Sequence, residues 1–209
     1  METKAAPTFA EPTPLGLLGL AIGCAALVPV AFGKVQSAAA FQTCALFCLV
    51  FGAGCQFLAG LMSLANKNLL GGTLLTTFSF NWVMNWWALD GLAHGKVPDA
   101  TVITAVDATF LFVFVVLAFA FALHSKLLFA LLADIVALYV LRLAHVHGAA
   151  IGVTTIVLAV IAVYVALAIL VNDAAGRVLI PLGGPLLRLR EPARETPRAI
   201  GAAASLQMS

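Results

Sequence analysis

The sequence predicts an all-α integral membrane protein, a bundle of six transmembrane helices, on three observations. Apolar residues make up 63% of the chain and charged residues 10%, whereas a soluble domain is about half apolar and about one quarter charged. Mean hydropathy is +1.08. Six apolar stretches, at 15–33, 38–65, 71–92, 100–123, 127–145 and 148–171, each approach or exceed the ~20 residues that a bilayer core demands. A segment 1–14 thus precedes one transmembrane domain over 15–171, and 172–209 follows as a tail.

The first stretch is entered through Glu11-Pro12-Thr13-Pro14-Leu15-Gly16-Leu17. It lacks the basic leader of a cleavable signal, because Glu2 and Glu11 offset Lys4, and it is longer than a signal's apolar region. No lipidation motif replaces the spans as an anchor. Gly19 and Gly23 form a small-xxx-small pair, and Gly52 and Gly60 flank Gln56 in the second stretch. Such faces let helix backbones approach closely. Cys24, Cys44, Cys48 and Cys55 all fall within spans, where small apolar packing is their ordinary role.

Asn66-Lys67-Asn68 closes the second stretch and Gly71-Gly72 opens the third. Asp90-Gly91 and Pro98-Asp99 separate the third from the fourth, His124-Ser125-Lys126 turns into the fifth, and His145-Val146-His147-Gly148 into the sixth. These short links predict antiparallel, adjacent neighbours arranged as three hairpins. Lys4, Lys67, Lys126, Arg177, Arg188, Arg190, Arg194 and Arg198 fall on one side, and Lys34, Lys96 and Arg142 on the other. That bias predicts both termini in the cytoplasm. The net charge of +2 comes from the tail and indicates no nucleic-acid partner, although the tail suits anionic lipid headgroups. Beyond Arg188 the Pro-, Arg-, Glu- and Ala-rich composition predicts disorder.

Polar side chains at bilayer depth are costly, so each needs a partner or a task. Gln56 either points into a crevice cleared by Gly52 and Gly60 or ties helices together. In the third stretch Thr76, Thr77, Ser79, Asn81 and Asn85 interleave with Phe78, Phe80, Trp82, Trp86 and Trp87. Phe78, Asn81 and Asn85 form one helical stripe, suited to a narrow, partly wet path. Trp86 and Trp87 read as interfacial anchors. Asp134 lies roughly 10 Å into the fifth span at 1.5 Å per residue, among Leu131, Leu132, Ile135 and Val136. A carboxylate there must be protonated, paired or facing water. It is either a proton carrier or half of a structural pair with Asn81, Asn85 or His124. Arg142 near the outer end snorkels, or attracts anions at a pore mouth. His145 and His147 lack an acidic companion and indicate no metal. No nucleophile–base set, phosphate loop or cofactor fingerprint is present, so neither an enzyme nor a cofactor is expected.

The motifs resemble those of the acetate uptake, or succinate–acetate permease, family. Glu11–Leu17, with Pro12, Pro14, Leu15 and Gly16, is similar to the family's Asn-Pro-Ala-Pro-Leu-Gly-Leu. Cys55-Gln56-Phe57-Leu58-Ala59-Gly60 is similar to Ala-Gln-Ile-Phe-Ala-Gly. Tyr164, Val171-Asn172-Asp173, Gly176-Arg177 and Ile180-Pro181-Leu182-Gly183 resemble the end of the family's sixth span and the segment after it. The resemblance implies a homo-hexamer with a pore in each six-helix protomer, and passage of acetate and related short carboxylates, proton-coupled or channel-like. It places Gln56 on the family's second-span glutamine. It sets Leu20, Phe78 and Asp134 on the constriction positions that the family fills with Phe, Tyr and Leu. Ile169 and Ser63 replace two glutamates.

The expectation is therefore a short-chain carboxylate transporter or channel of the cytoplasmic (inner) membrane, with Leu20, Gln56, Phe78, Asn81, Asn85 and Asp134 along the path and protons as co-substrate. The amide stripe keeps open a urea, short-amide or ammonia channel of similar build. A non-transporting membrane scaffold is a third reading.

Overall fold

The computed structural model describes residues 8–188. Within them the chain forms helices and no strand: α1 (Thr13–Ala31), α2 (Ala38–Ala65), α3 (Leu69–Ala93), α4 (Ala100–Ala122), α5 (Lys126–Leu143) and α6 (Ala149–Ala175). Every expected span is present with its ends shifted by a few residues. The largest shift is at α6, which continues through Asn172 and Asp173 until Gly176, at φ +61°, ends it in the left-handed conformation that glycine adopts without strain. The arginine-rich stretch beyond Arg188, expected to be disordered, lies outside the described residues.

Four helices, α1, α2, α4 and α6, are long and apolar enough to cross a bilayer on composition alone. The other two hold most of the polar groups. Thr76, Thr77, Ser79, Asn81 and Asn85 lie on α3, and Lys126, Asp134 and Arg142 on α5. Local chemistry sets the starts. The Glu11 carboxylate accepts from the Thr13 N–H at 3.0 Å, and Pro14 occupies the first turn, where a missing N–H costs nothing. Ser37, Asn68 and Asp99 accept from the N–H groups of Ala40, Gly71 and Val102.

α2 is not uniform. It widens into a π-helix over Cys48–Cys55, just before Gln56, and such insertions concentrate at functional sites. α1 packs against both α2 and α6, α3 lies on α2, α4 on α5, and α5 on α6. The expected hairpins form for α1–α2 and α5–α6 but not for α3–α4. Glycine decides this. A methyl added to Gly19 would collide with Cys55 and the Phe51 carbonyl, and one on Gly60 with Thr76, so α1 and α3 press onto α2. Between α3 and α4 stand rings instead. Phe78 meets Phe114 edge-on with centroids 5.0 Å apart, and Phe114 stacks on Tyr139 at 5.5 Å. Gly52 and Gly60 consequently frame no open crevice beside Gln56, because Trp82 and Thr76 occupy those slots.

Beyond Gly176 the chain folds back across the end of the bundle where α1 begins and α6 ends. Asn172 holds this strap from both sides of its amide, accepting from the Leu179 and Ile180 N–H groups at 2.7 and 2.9 Å and donating to the Ile180 carbonyl at 2.8 Å. Tyr164 donates to the Pro181 carbonyl and Ser125 to that of Leu182. The Lys126 N–H donates to Gly184, and the Ala122 carbonyl accepts from Leu186 and Leu187. Backbone groups that helix ends leave unpaired are thus satisfied at the α4–α5 turn. The Asn172, Pro181 and Gly183 motif has a structural task.

Candidate solute pathway

With α3 held off α4 and α5, a cavity of about 550 Å³ lies between them and the ends of α1 and α6. Its mouth is at the end opposite the termini, where Arg142, His145 and His147 stand. Asn81, Asn85, Thr104, Asp107 and Thr155 supply polar wall, and Phe78 and Trp82 apolar wall.

One connected polar set runs along that wall. Arg142 Nε donates to Asp107 Oδ2 at 3.0 Å, with the carboxylate side chain 7% exposed and the guanidinium 31%. The guanidinium lies 5.4 Å from the centroid of the Tyr139 ring, within cation–π range. The Tyr139 hydroxyl in turn donates to Asn81 Oδ1 at 2.9 Å. That bond engages the Asn81 carbonyl oxygen and leaves its NH₂ without a protein partner among the described residues.

The floor is closed by packing. Trp82 lies between α1 and α2, where a methyl on Gly52 would collide with its ring and one on Gly23 would come within 2.9 Å of it. The sequence-predicted residues divide at this floor. Phe78, Asn81 and Asn85 line the cavity. Leu20 is one turn from the lining residue Cys24, and Asp134 one turn from the lining residue Leu138, each ~6 Å further toward the termini. Gln56 is one turn beyond Gly52, on which Trp82 rests. Leu20 and Gln56 are each 1% exposed. Neither amide atom of Gln56, nor Asp134 Oδ2, has a hydrogen-bond partner among the described residues. The three partners considered for Asp134 are absent. Asn81 is bonded to Tyr139, His124 Nδ1 lies against the Ala120 carbonyl, and Asn85 makes no bond to it. Of the opening motif, Pro12, Pro14, Gly16 and Leu17 are buried. A methyl on Gly16 would stand 2.8 Å from Leu75 and 3.2 Å from Ala59, so this motif seats α1 on its neighbours and leaves the cavity to others.

Two wall residues escape a reading of the sequence. Asp107 is the lone ionisable group of α4, and the reasoning that picks out Asp134 applies equally to it. Tyr139 carries no spacing signal. Arg142 does not snorkel alone, because Asp107 holds it. No cluster of three metal-ligating side chains occurs among the described residues.

No protein-family profile matches the chain, and no curated protein sequence matches it. The solved structure of the bacterial acetate channel SatP does match, with TM-score 0.73 and 20% identity over 84% of this chain and 100% of that one. At that identity the likeness is one of fold. Over its described residues the chain is therefore an all-helical membrane protein with the fold of a bacterial acetate channel.

Proposed function

We propose that this protein passes acetate and related short-chain carboxylates across a membrane, as a channel or transporter. One observation carries the reading. A cavity walled by Asn81, Asn85 and the Asp107–Arg142 pair leads toward unpartnered polar atoms of Gln56 and Asp134, one turn beneath its floor. A buried polar atom without a partner costs about 1–3 kcal/mol, and more in lipid. A solute or proton that visits this level supplies the missing partner. The shared fold with SatP supports acetate as the solute.

On this reading Asn81 and Asn85 donate to the carboxyl group, Leu20 and Phe78 narrow the path, and Gln56 meets the solute beneath the floor. A protonated Asp134 allows an anion to pass and an ionised one repels it, which couples passage to protons. The protomers assemble as a homo-hexamer with a pore in each. They lie in the cytoplasmic membrane with both termini inside, as the bias of Lys67, Lys126 and Arg177 over Lys34 and Lys96 supports. The cavity's two amides favour one second reading, a urea or short-amide channel.

Labelled-acetate uptake into proteoliposomes, with and without an inward proton gradient, tests the proposal against empty liposomes that report acetic-acid leak. Gradient-stimulated uptake above the leak, lowered by unlabelled acetate, is expected. Uptake equal to the leak overturns it and directs the assay to urea. Asp134→Asn should lose the gradient stimulation, and unchanged stimulation would reject the coupling role.

A further inference from the structure

The Asp107–Arg142 pair gives the cavity an unusual electrostatic character. An isolated arginine at the mouth of a low-dielectric cavity attracts every anion, and a dianion more than a monoanion. Here the positive charge has a carboxylate on it at 3.0 Å, and that carboxylate is buried. Only Nε of the guanidinium is engaged, and the terminal amino groups have no protein acceptor among the described residues. The wall consequently keeps the directional donors of arginine and of Asn81 while its charge sums to zero. Cys24, Tyr139, His145 and His147 are the other titratable side chains lining the cavity.

We propose that Asp107 and Arg142 together form a charge-neutral selectivity element that accepts one carboxyl group through N–H donors and disfavours dicarboxylates. The inference rests on the carboxylate reading above and adds to it the residues that set valence. A monocarboxylate needs donors for one group and finds them. A dicarboxylate carries a second charge, for which the paired wall offers no net counter-charge, and the Asp107 carboxylate opposes it.

The test is a charge cycle at neutral pH, where acetate and succinate are both almost wholly ionised. In the wild type, excess succinate should inhibit labelled-acetate uptake weakly. Asp107→Asn retains an oxygen for Arg142 Nε but removes the negative charge. It should strengthen inhibition by succinate about fivefold relative to acetate. Arg142→Gln should shift that ratio the opposite way, and the double variant should return within about twofold of wild type. Singles that change the ratio in the same direction, or not at all, overturn the proposal and leave the pair a structural tie. Binding is read separately in detergent, by titrating acetate and succinate against tryptophan fluorescence, because Trp82 lines the cavity. If wild-type uptake never exceeds the leak, the transport reading fails, while the order of succinate and acetate affinities across the cycle still decides the valence claim.

Discussion

Asp107 and Asp134 are the same residue roughly two turns inside neighbouring helices, α4 and α5, yet their surroundings are opposite. Asp107 is almost fully buried and held by Arg142, whose guanidinium covers Tyr139, whose hydroxyl fixes Asn81. Asp134 is half-buried, and one of its oxygens has nothing to bond. Above the cavity floor Asp107, Arg142, Tyr139 and Asn81 are linked into one wall, and at the floor itself Trp82 Nε1 has no partner among the described residues. Below it Gln56, Asp134, Ser63 and Thr76 all hold unpartnered polar atoms. The contrast teaches that depth does not decide what an intramembrane carboxylate does. Its partner does.

The sharpest way to break the contrast is to remove one partner on each side. Arg142→Gln strands the Asp107 charge and should cost about 2–3 kcal/mol, less than a fully buried pair because the guanidinium is partly exposed. Asp134→Asn should change stability by less than about 0.5 kcal/mol, since no bond is lost. Thermal unfolding in detergent compares them, and equal losses would abolish the distinction. The boundary between the regions comes next. Gly52→Ala drives a methyl into the Trp82 ring and should cost about 1–3 kcal/mol by overpacking. Gly54→Ala meets only the Leu49 carbonyl, at 3.6 Å, and serves as the matched control. Tyr139→Phe should cost less than Arg142→Gln, because it deletes one hydrogen bond worth about 1 kcal/mol. It also frees Asn81 to rotate, so affinity for acetate should fall about threefold while Asp134-dependent gradient stimulation persists. Loss of that stimulation as well would show the two regions to be one unit.

The sequence made the six helices legible because lipid demands long apolar runs, and their boundaries because Asn66-Lys67-Asn68, Pro98-Asp99 and His124-Ser125-Lys126 interrupt those runs. It also pointed to α3, since amides and hydroxyls inside an apolar run stand out. It did not reveal that α3 leaves α4, because that separation depends on Phe78, Phe114 and Tyr139 meeting in space. Residue spacing marked Gly52 and Gly60 as close-packing positions but left open whether they clear a crevice for Gln56, and Trp82 and Thr76 fill both slots. Asp107 and Arg142 lie 35 positions apart, and no local pattern joins them. Arg142 alone reads as an interfacial anchor. The π-helical turn before Gln56 likewise has no signature in the side chains.

The stacking of α1 on α6 has a consequence for biosynthesis. Of the described helices α1 is made before the rest and finds α2 early, through Gly16 and Gly19, but its other flank waits until α6 is made. Only then does the Phe32 ring reach the slot at Gly152, and the strap from Leu179 to Leu187 lock the α4–α5 turn. A nascent chain halted before α6 would leave the α6-facing flank of α1, Phe32 included, without its partner helix.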